Sequence, residues 1–105
     1  MSEIPTTVKM QLCIEDVMRG RIPLFDGVEK LLALAQDVPA LASNRDHRKL
    51  AELLGLADHL PIGAAREHWQ AEALHRADRE LMELERKQKD AVFYACRRLL
   101  TALEG

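Results

Sequence analysis

The sequence predicts an all-α protein, a small antiparallel helical bundle with a long C-terminal helix. Leucine and alanine, which both favour helix, are its commonest residues, and apolar residues recur every three or four positions. Aromatic residues make up only 4% of the chain, so aliphatic side chains must form most of the core. At 105 residues, the chain fits a single helical domain over 1–105, since domains of roughly 100–150 residues are the commonest size.

Two amphipathic helices are predicted in the first third of the chain. Apolar residues on one face indicate a first helix over 6–19, with Thr6 or Thr7 as its N-cap. The same spacing predicts a second helix over 23–36. Gly27 lies inside this second helix, where glycine is unfavourable, so we expect it to allow close approach by another helix.

Two further helices are predicted after the polar run "SNRD". Asp46 is the expected N-cap of the third helix, whose apolar side carries Leu50, Leu53, Leu54 and Ala57. Residues 71–103 contain no proline or glycine and predict one long helix, of roughly 50 Å at ~1.5 Å per residue. Part of such a helix must protrude, bend or pack on another chain. A homodimer through the first and last helices would cover it.

Charge and composition exclude several classes of protein. Lysine and arginine number 15 against 17 acidic residues, so a general nucleic-acid binder is not expected. The N-terminal residues lack the pattern of a signal peptide, and no apolar run approaches the ~18 residues of a membrane span. We therefore expect a cytoplasmic protein with no membrane contact. Cys13 and Cys96 have no metal or disulfide spacing, so both are predicted to be buried thiols.

The stretch "DHLPIGAAREHW", residues 58–69, is called the elbow because its proline and glycine predict a reversal of the chain. Trp69 is expected to be a buried anchor for the long helix, since a buried tryptophan contributes a large apolar area. Arg66 is expected to pair with Asp58 or to stack near Trp69. This interpretation makes the elbow a structural element.

A functional interpretation of the same stretch is a small-ligand or metal site. Imidazole and carboxylate groups are good ligands for zinc, iron and manganese, and Glu72 and His75 form a Glu-x-x-His pair. Di-metal bundles need a second such pair, which this chain lacks, so we assign no metal and no cofactor. The candidate ligand or partner contacts are Asp58, His59, Arg66, His68, Trp69, Glu72 and His75.

No motif in the sequence indicates catalysis. There is no nucleophile turn and no phosphate-binding loop, so the protein is not expected to be an enzyme. Small size, mixed charge and an overlong helix favour a protein–protein interaction or regulatory module. Phe93, Tyr94 and Leu100 are candidates for its partner surface, although a core position is equally compatible with their spacing.

The elbow also carries a resemblance. Asp58, His59, Leu60 and Pro61, followed by Gly63, Arg66 and Trp69, give the pattern DHLPxGxxRxxW ahead of a long final helix. In this the chain resembles a group of small bacterial helical proteins of unknown function. The resemblance implies a bacterial source and a cytoplasmic location, and it implies no activity. The chain departs from that group in having Gly55, Leu56 and Ala57 where a Ser-Glu-Thr stretch commonly precedes the Asp-His pair.

Overall fold

A computed structural model describes residues 4–104 of the chain and confirms the all-α fold with a long C-terminal helix. Within those residues there are four α-helices and two short 3₁₀ segments, and no strand. The α-helices are α1 (Thr6–Met18), α2 (Leu24–Ala35), α3 (Arg45–Gly55) and α4 (Ala71–Glu104). The 3₁₀ segments are Pro39–Leu41 and Gly63–His68.

Helices α1 and α2 pack closely against each other after a tight turn. Gly20 has a φ of +70° there, a left-handed conformation that glycine adopts without a steric penalty. Gly27 of α2 is buried, and a β-carbon at this position would collide with the side chains of Val17 and Ile22. The Cys13 thiol also donates to the Gly27 carbonyl oxygen at 3.4 Å. The predicted close approach at Gly27 is therefore confirmed.

The N-terminus of α2 is satisfied by a side chain from a distant helix. Pro23 occupies the N-cap position and has no side chain that can accept from the first turn. The backbone N–H of Leu24 instead donates to Glu85 Oε2 of α4 at 3.3 Å. A carboxylate at a helix N-terminus also interacts favourably with the helix dipole, so this contact fixes α4 against α2.

Both predicted N-caps were wrong. Helix α1 begins at Thr6 after Pro5, and no side chain caps it, so neither Thr6 nor Thr7 has that role. In α3 the cap is Asn44, whose Oδ1 accepts from the backbone N–H groups of Asp46 and His47 at 2.8 and 3.0 Å. The run before α3 holds several residues able to cap, and the helix starts two residues earlier than a cap at Asp46 would require.

Asp46 has a tertiary contact in place of the predicted cap. It is buried within the first turn of α3, and its Oδ1 accepts from Arg98 Nε of α4 at 3.2 Å. The same Arg98 guanidinium lies 5.7 Å from the centre of the Tyr94 ring. This contact joins the start of α3 to the C-terminal half of α4.

The core contains aliphatic side chains from all four helices. Phe25 is its one buried aromatic residue among those described, at 1% exposure. Its other large, fully buried members include Met10, Ile14, Leu31, Leu50 and Leu99. Cys13 and Cys96 are free and buried in the same cluster, as predicted, and burial raises the pKa of Cys96 to about 12.

Helix α4 is covered by its own chain along both of its halves. Val92 and Leu99 in its C-terminal half are buried in the core, and Ala77 and Leu81 in its N-terminal half are buried too. The elbow folds back beside the first part of α4, and Leu60 joins the same apolar cluster. A 34-residue helix is thus accommodated because the elbow extends the bundle beside it. No helix in the described part of the chain has the length and apolar content needed to cross a membrane.

We expect Gly27→Ala to lower the free energy of unfolding by about 1–3 kcal/mol, because the added methyl group forces α1 and α2 apart. Urea unfolding followed by circular dichroism measures this. Gly55→Ala is the matched control, since nothing lies within 4 Å of a β-carbon there and alanine is the better helix former. Equal stability of the two variants would contradict the close packing at Gly27.

Candidate functional site

The elbow is attached to α4 by a bidentate ion pair. Arg66 donates to Asp78 Oδ1 and Oδ2 at 2.7 and 3.0 Å, and also to the Pro61 carbonyl oxygen at 3.3 Å. The hydrogen bond from Arg66 lowers the pKa of Asp78 below its ordinary value of 3.8. The predicted pairing of Arg66 with Asp58 was wrong. The fold brings Asp78 of α4 within hydrogen-bonding distance of Arg66 and leaves Asp58 exposed.

A second attachment joins the elbow to α2. Gly63 has a φ of +56°, and its backbone N–H donates to Asp26 Oδ1 at 3.1 Å. A β-carbon on Gly63 would lie 2.8 Å from Glu29 Oε1, so both the backbone conformation and the space favour glycine. The elbow is thus a bridge between the first turn of α2 and the N-terminal half of α4.

Trp69 is not the buried anchor that the sequence predicted. It is 37% exposed and follows the 3₁₀ segment Gly63–His68, in which no residue is buried. Leu60, at 6% exposure, and the fully buried Pro61 anchor the elbow instead. The elbow is therefore buried at these two residues and lies at the surface by Trp69.

The remaining candidate contacts lie at the surface and do not converge on one point. His59 Nε2 and Glu80 Oε1 are 2.6 Å apart, with both side chains 60% exposed. The exposed candidates that the elbow and the first turns of α4 carry are Asp58, His59, His68, Trp69, Glu72 and His75. Among residues 4–104, no three histidine, cysteine or acidic side chains are placed to hold one metal ion.

His59 and Trp69 do share one small depression, the elbow cleft, which Arg76 and Glu80 of α4 also line. Its volume is about 220 Å³, below the roughly 300–1,000 Å³ of most small-molecule sites. The cleft brings Trp69 together with a histidine–carboxylate pair. It therefore suits a single side chain or a small polar group better than a metabolite.

A larger depression lies on the other side of α4, where the α1–α2 turn packs beside the helix. This α1–α4 groove has a volume of about 760 Å³. Its main apolar lining residues are Met18, Ile22, Pro23, Met82 and Phe93. Its charged lining residues are Arg19, Arg21, Glu85, Arg86 and Lys89. Met82 is 69% exposed, so the groove offers apolar surface to solvent.

A second depression continues along α1 from the end of this groove. It has a volume of about 620 Å³, and Met18 and Arg19 line both depressions. Beside it runs the α1 stripe, which consists of Ile4, Val8 and Leu12 at 55%, 37% and 51% exposure. Val8 and Leu12 lie one turn apart on α1, and Ile4 precedes the helix by two residues.

The three predicted partner-surface residues fall in different places. Phe93 lines the α1–α4 groove, and Leu100 lines the second depression. Tyr94 is 59% exposed but lines neither. Sequence reasoning missed Met18 and Met82, although the spacing of Met82, Lys89 and Phe93 on one side of α4 is a signal that could have found the groove.

Comparison with known proteins gives no further assignment. No protein-family model, curated protein or solved structure matches this chain. The resemblance of the elbow pattern to small bacterial proteins therefore stays a prediction.

We expect Leu60→Ala to lower the free energy of unfolding by about 2–5 kcal/mol, because it leaves a cavity where the elbow enters the core. Trp69→Ala is expected to cost less than the roughly 3–5 kcal/mol typical of a buried aromatic residue, since Trp69 is partly in solvent. Urea unfolding of both variants measures the difference. A larger loss for Trp69→Ala would restore the buried-anchor interpretation.

The free energy of unfolding in acid should depend on the Arg66–Asp78 pair. The pKa of Asp78 is lower in the folded state, so its contribution is complete above the ordinary value of 3.8 and is lost as the pH falls through the depressed one. We expect Asp78→Asn to be less stable than wild type at pH 7 and to lose less stability between pH 5 and pH 2. Urea midpoints across that range measure the effect. Glu72→Gln on the same helix is the control, and an identical profile for both variants would contradict the assignment.

Proposed function

We propose that this protein is a non-enzymatic interaction module that binds another protein through the α1–α4 groove. The observation that carries the proposal is the apolar lining of that groove. Met82 is 69% exposed there, and Met18 and Phe93 in the same lining are half-buried. Exposed apolar surface of this kind is retained at binding sites, because it otherwise favours non-specific association.

The chemistry of the groove supports this role. Methionine is unbranched and polarisable, so Met18 and Met82 can adapt to the shape of a bound side chain. The groove lies between the α1–α2 turn and one helix, an arrangement that suits a helix or an extended peptide laid along α4. The non-enzymatic assignment is supported by Cys96, because burial keeps this thiol protonated and away from any substrate.

The proposal also includes a cellular location and an oligomeric state. The free thiols Cys13 and Cys96 fit a reducing compartment, so a cytoplasmic location is part of the proposal, and the resemblance of the elbow pattern adds a bacterial source. A homodimer is also proposed, through the α1 stripe and the neighbouring end of α4. The stripe consists of three exposed apolar residues, which a second copy of the chain would bury.

A small-ligand role for the elbow is the second candidate function. The observation in its favour is that Trp69 lines the elbow cleft together with His59 and Glu80. Replacing His59, which lines the cleft, is expected to weaken ligand binding without unfolding the protein, and retained affinity would exclude the elbow cleft as the site.

We expect Met82→Gln to weaken partner binding at least fivefold, because it places a polar amide on the apolar lining. Leu56→Gln is the matched control, since Leu56 is an exposed leucine at the end of α3 and outside the groove. Proteins retained by the immobilised wild-type chain are purified, and their affinities for wild type, Leu56→Gln and Met82→Gln are measured by calorimetry. A partner whose affinity falls with Leu56→Gln, or is unchanged with Met82→Gln, would contradict the groove as the binding surface.

A further inference from the structure

The charges in the α1–α4 groove differ in sign from the charge of the whole chain. Four cations and one acid line the groove, whereas the chain carries a formal net charge of −2. The cations are Arg19 and Arg21 from the α1–α2 turn and Arg86 and Lys89 from α4. They are contributed by both walls, so apolar side chains lie between two cationic edges.

The one acid in the lining is already engaged. Glu85 Oε2 accepts from the backbone N–H of Leu24 at 3.3 Å and interacts with the N-terminus of α2. Its negative charge is therefore directed at the N-terminus of α2. A bound segment meets the cations of the groove and not this carboxylate.

Acids outside the groove pair with three of the cations at the surface. Arg19 pairs with Glu15, and Arg21 pairs with Asp16, each at 3.2 Å. Arg86 donates to both carboxylate oxygens of Glu83 on α4, from Nε at 3.2 Å and from Nη2 at 2.5 Å, so this pair is the strongest of the three. The arginine side chains in these pairs are 52–71% exposed, and ion pairs in water are readily exchanged for others.

Lys89 is directed along the groove. Its Nζ lies 5.5 Å from the centre of the Phe93 ring, so the ammonium group sits over an apolar lining residue. A carboxylate of a bound segment would reach this ammonium while its apolar side chains contacted Phe93. The groove thus pairs an apolar contact with a cationic one at the same position.

The length of the groove fits about three turns of helix. Its lining on α4 extends from Met82 to Phe93, roughly 16 Å at ~1.5 Å per residue. A helix laid along it would direct residues spaced three and four apart onto the apolar lining, with its flanking residues near the cations. We infer, on the basis of the interaction role proposed above, that the occupant is an acidic amphipathic helix of another protein.

Two synthetic peptides test this inference. Both have 18 residues and the same leucines at helical spacing, and they differ only in carrying glutamate or lysine beside the leucines. Fluorescence anisotropy measures their binding to the full chain. We expect the glutamate peptide to bind at least tenfold more tightly in 50 mM salt, with the ratio shrinking in 500 mM salt because the attraction is electrostatic.

Matched variants locate the binding on the protein. Arg86→Gln and Lys89→Gln are each expected to weaken the glutamate peptide about threefold or more. Arg45→Gln, an exposed arginine on α3 outside both the groove and the elbow cleft, is expected to leave it unchanged. Binding that survives Met82→Gln at full affinity lies elsewhere and overturns the inference.

The remaining outcomes separate this inference from the proposed function. Equal affinity for the two peptides, or preference for the lysine peptide, overturns the acidic partner and leaves the interaction role in place. Failure of both peptides to bind overturns the amphipathic helix as the occupant, whereas the proposed function is decided by the affinities of a purified partner for wild type and Met82→Gln. Sedimentation that shows a dimer dissociated by Met82→Gln identifies a second copy as the occupant and overturns the acidic partner.

Discussion

The close contact between α1 and α2 at Gly27 determines where the rest of the molecule lies. With no side chain between the helices, the Val17 side chain packs directly on the backbone of α2. This fixes the turn between the helices and presents Ile22 and Pro23 as one wall of the α1–α4 groove. A larger residue at 27 would separate the helices and change the width of the groove, so core packing and the surface are linked through one position.

Helix α4 is held from two sides by polar contacts that differ in kind. The Arg66–Asp78 pair attaches the elbow to it in partly exposed surroundings, and Glu85 attaches it to the N-terminus of α2. Between them these contacts set the rotation of α4 about its axis. That rotation directs one side of the helix to the elbow cleft and the other to the groove, so one helix serves both candidate surfaces.

Much of the fold follows from local pattern. The four helices, the close approach at Gly27 and the burial of both cysteines were predictable because apolar spacing and glycine placement act over a few residues. The partners of Arg66 and Glu85 were not, since each contact joins segments that only the tertiary fold brings together. The exposure of Trp69 was not predicted either, because only the tertiary fold shows that Leu60 and Pro61 are the buried residues of the elbow.

Met18 and Arg19 line both the α1–α4 groove and the depression beside the α1 stripe. The last turn of α1 is therefore a shared boundary between a proposed partner site and a proposed dimer surface. Two occupants that contact the same side chains have linked equilibria: each changes the affinity of the other, and by the same factor in both directions. Self-association of this protein and binding of a partner in its groove would then both depend on the concentrations of protein and partner, because the two equilibria belong to one thermodynamic cycle.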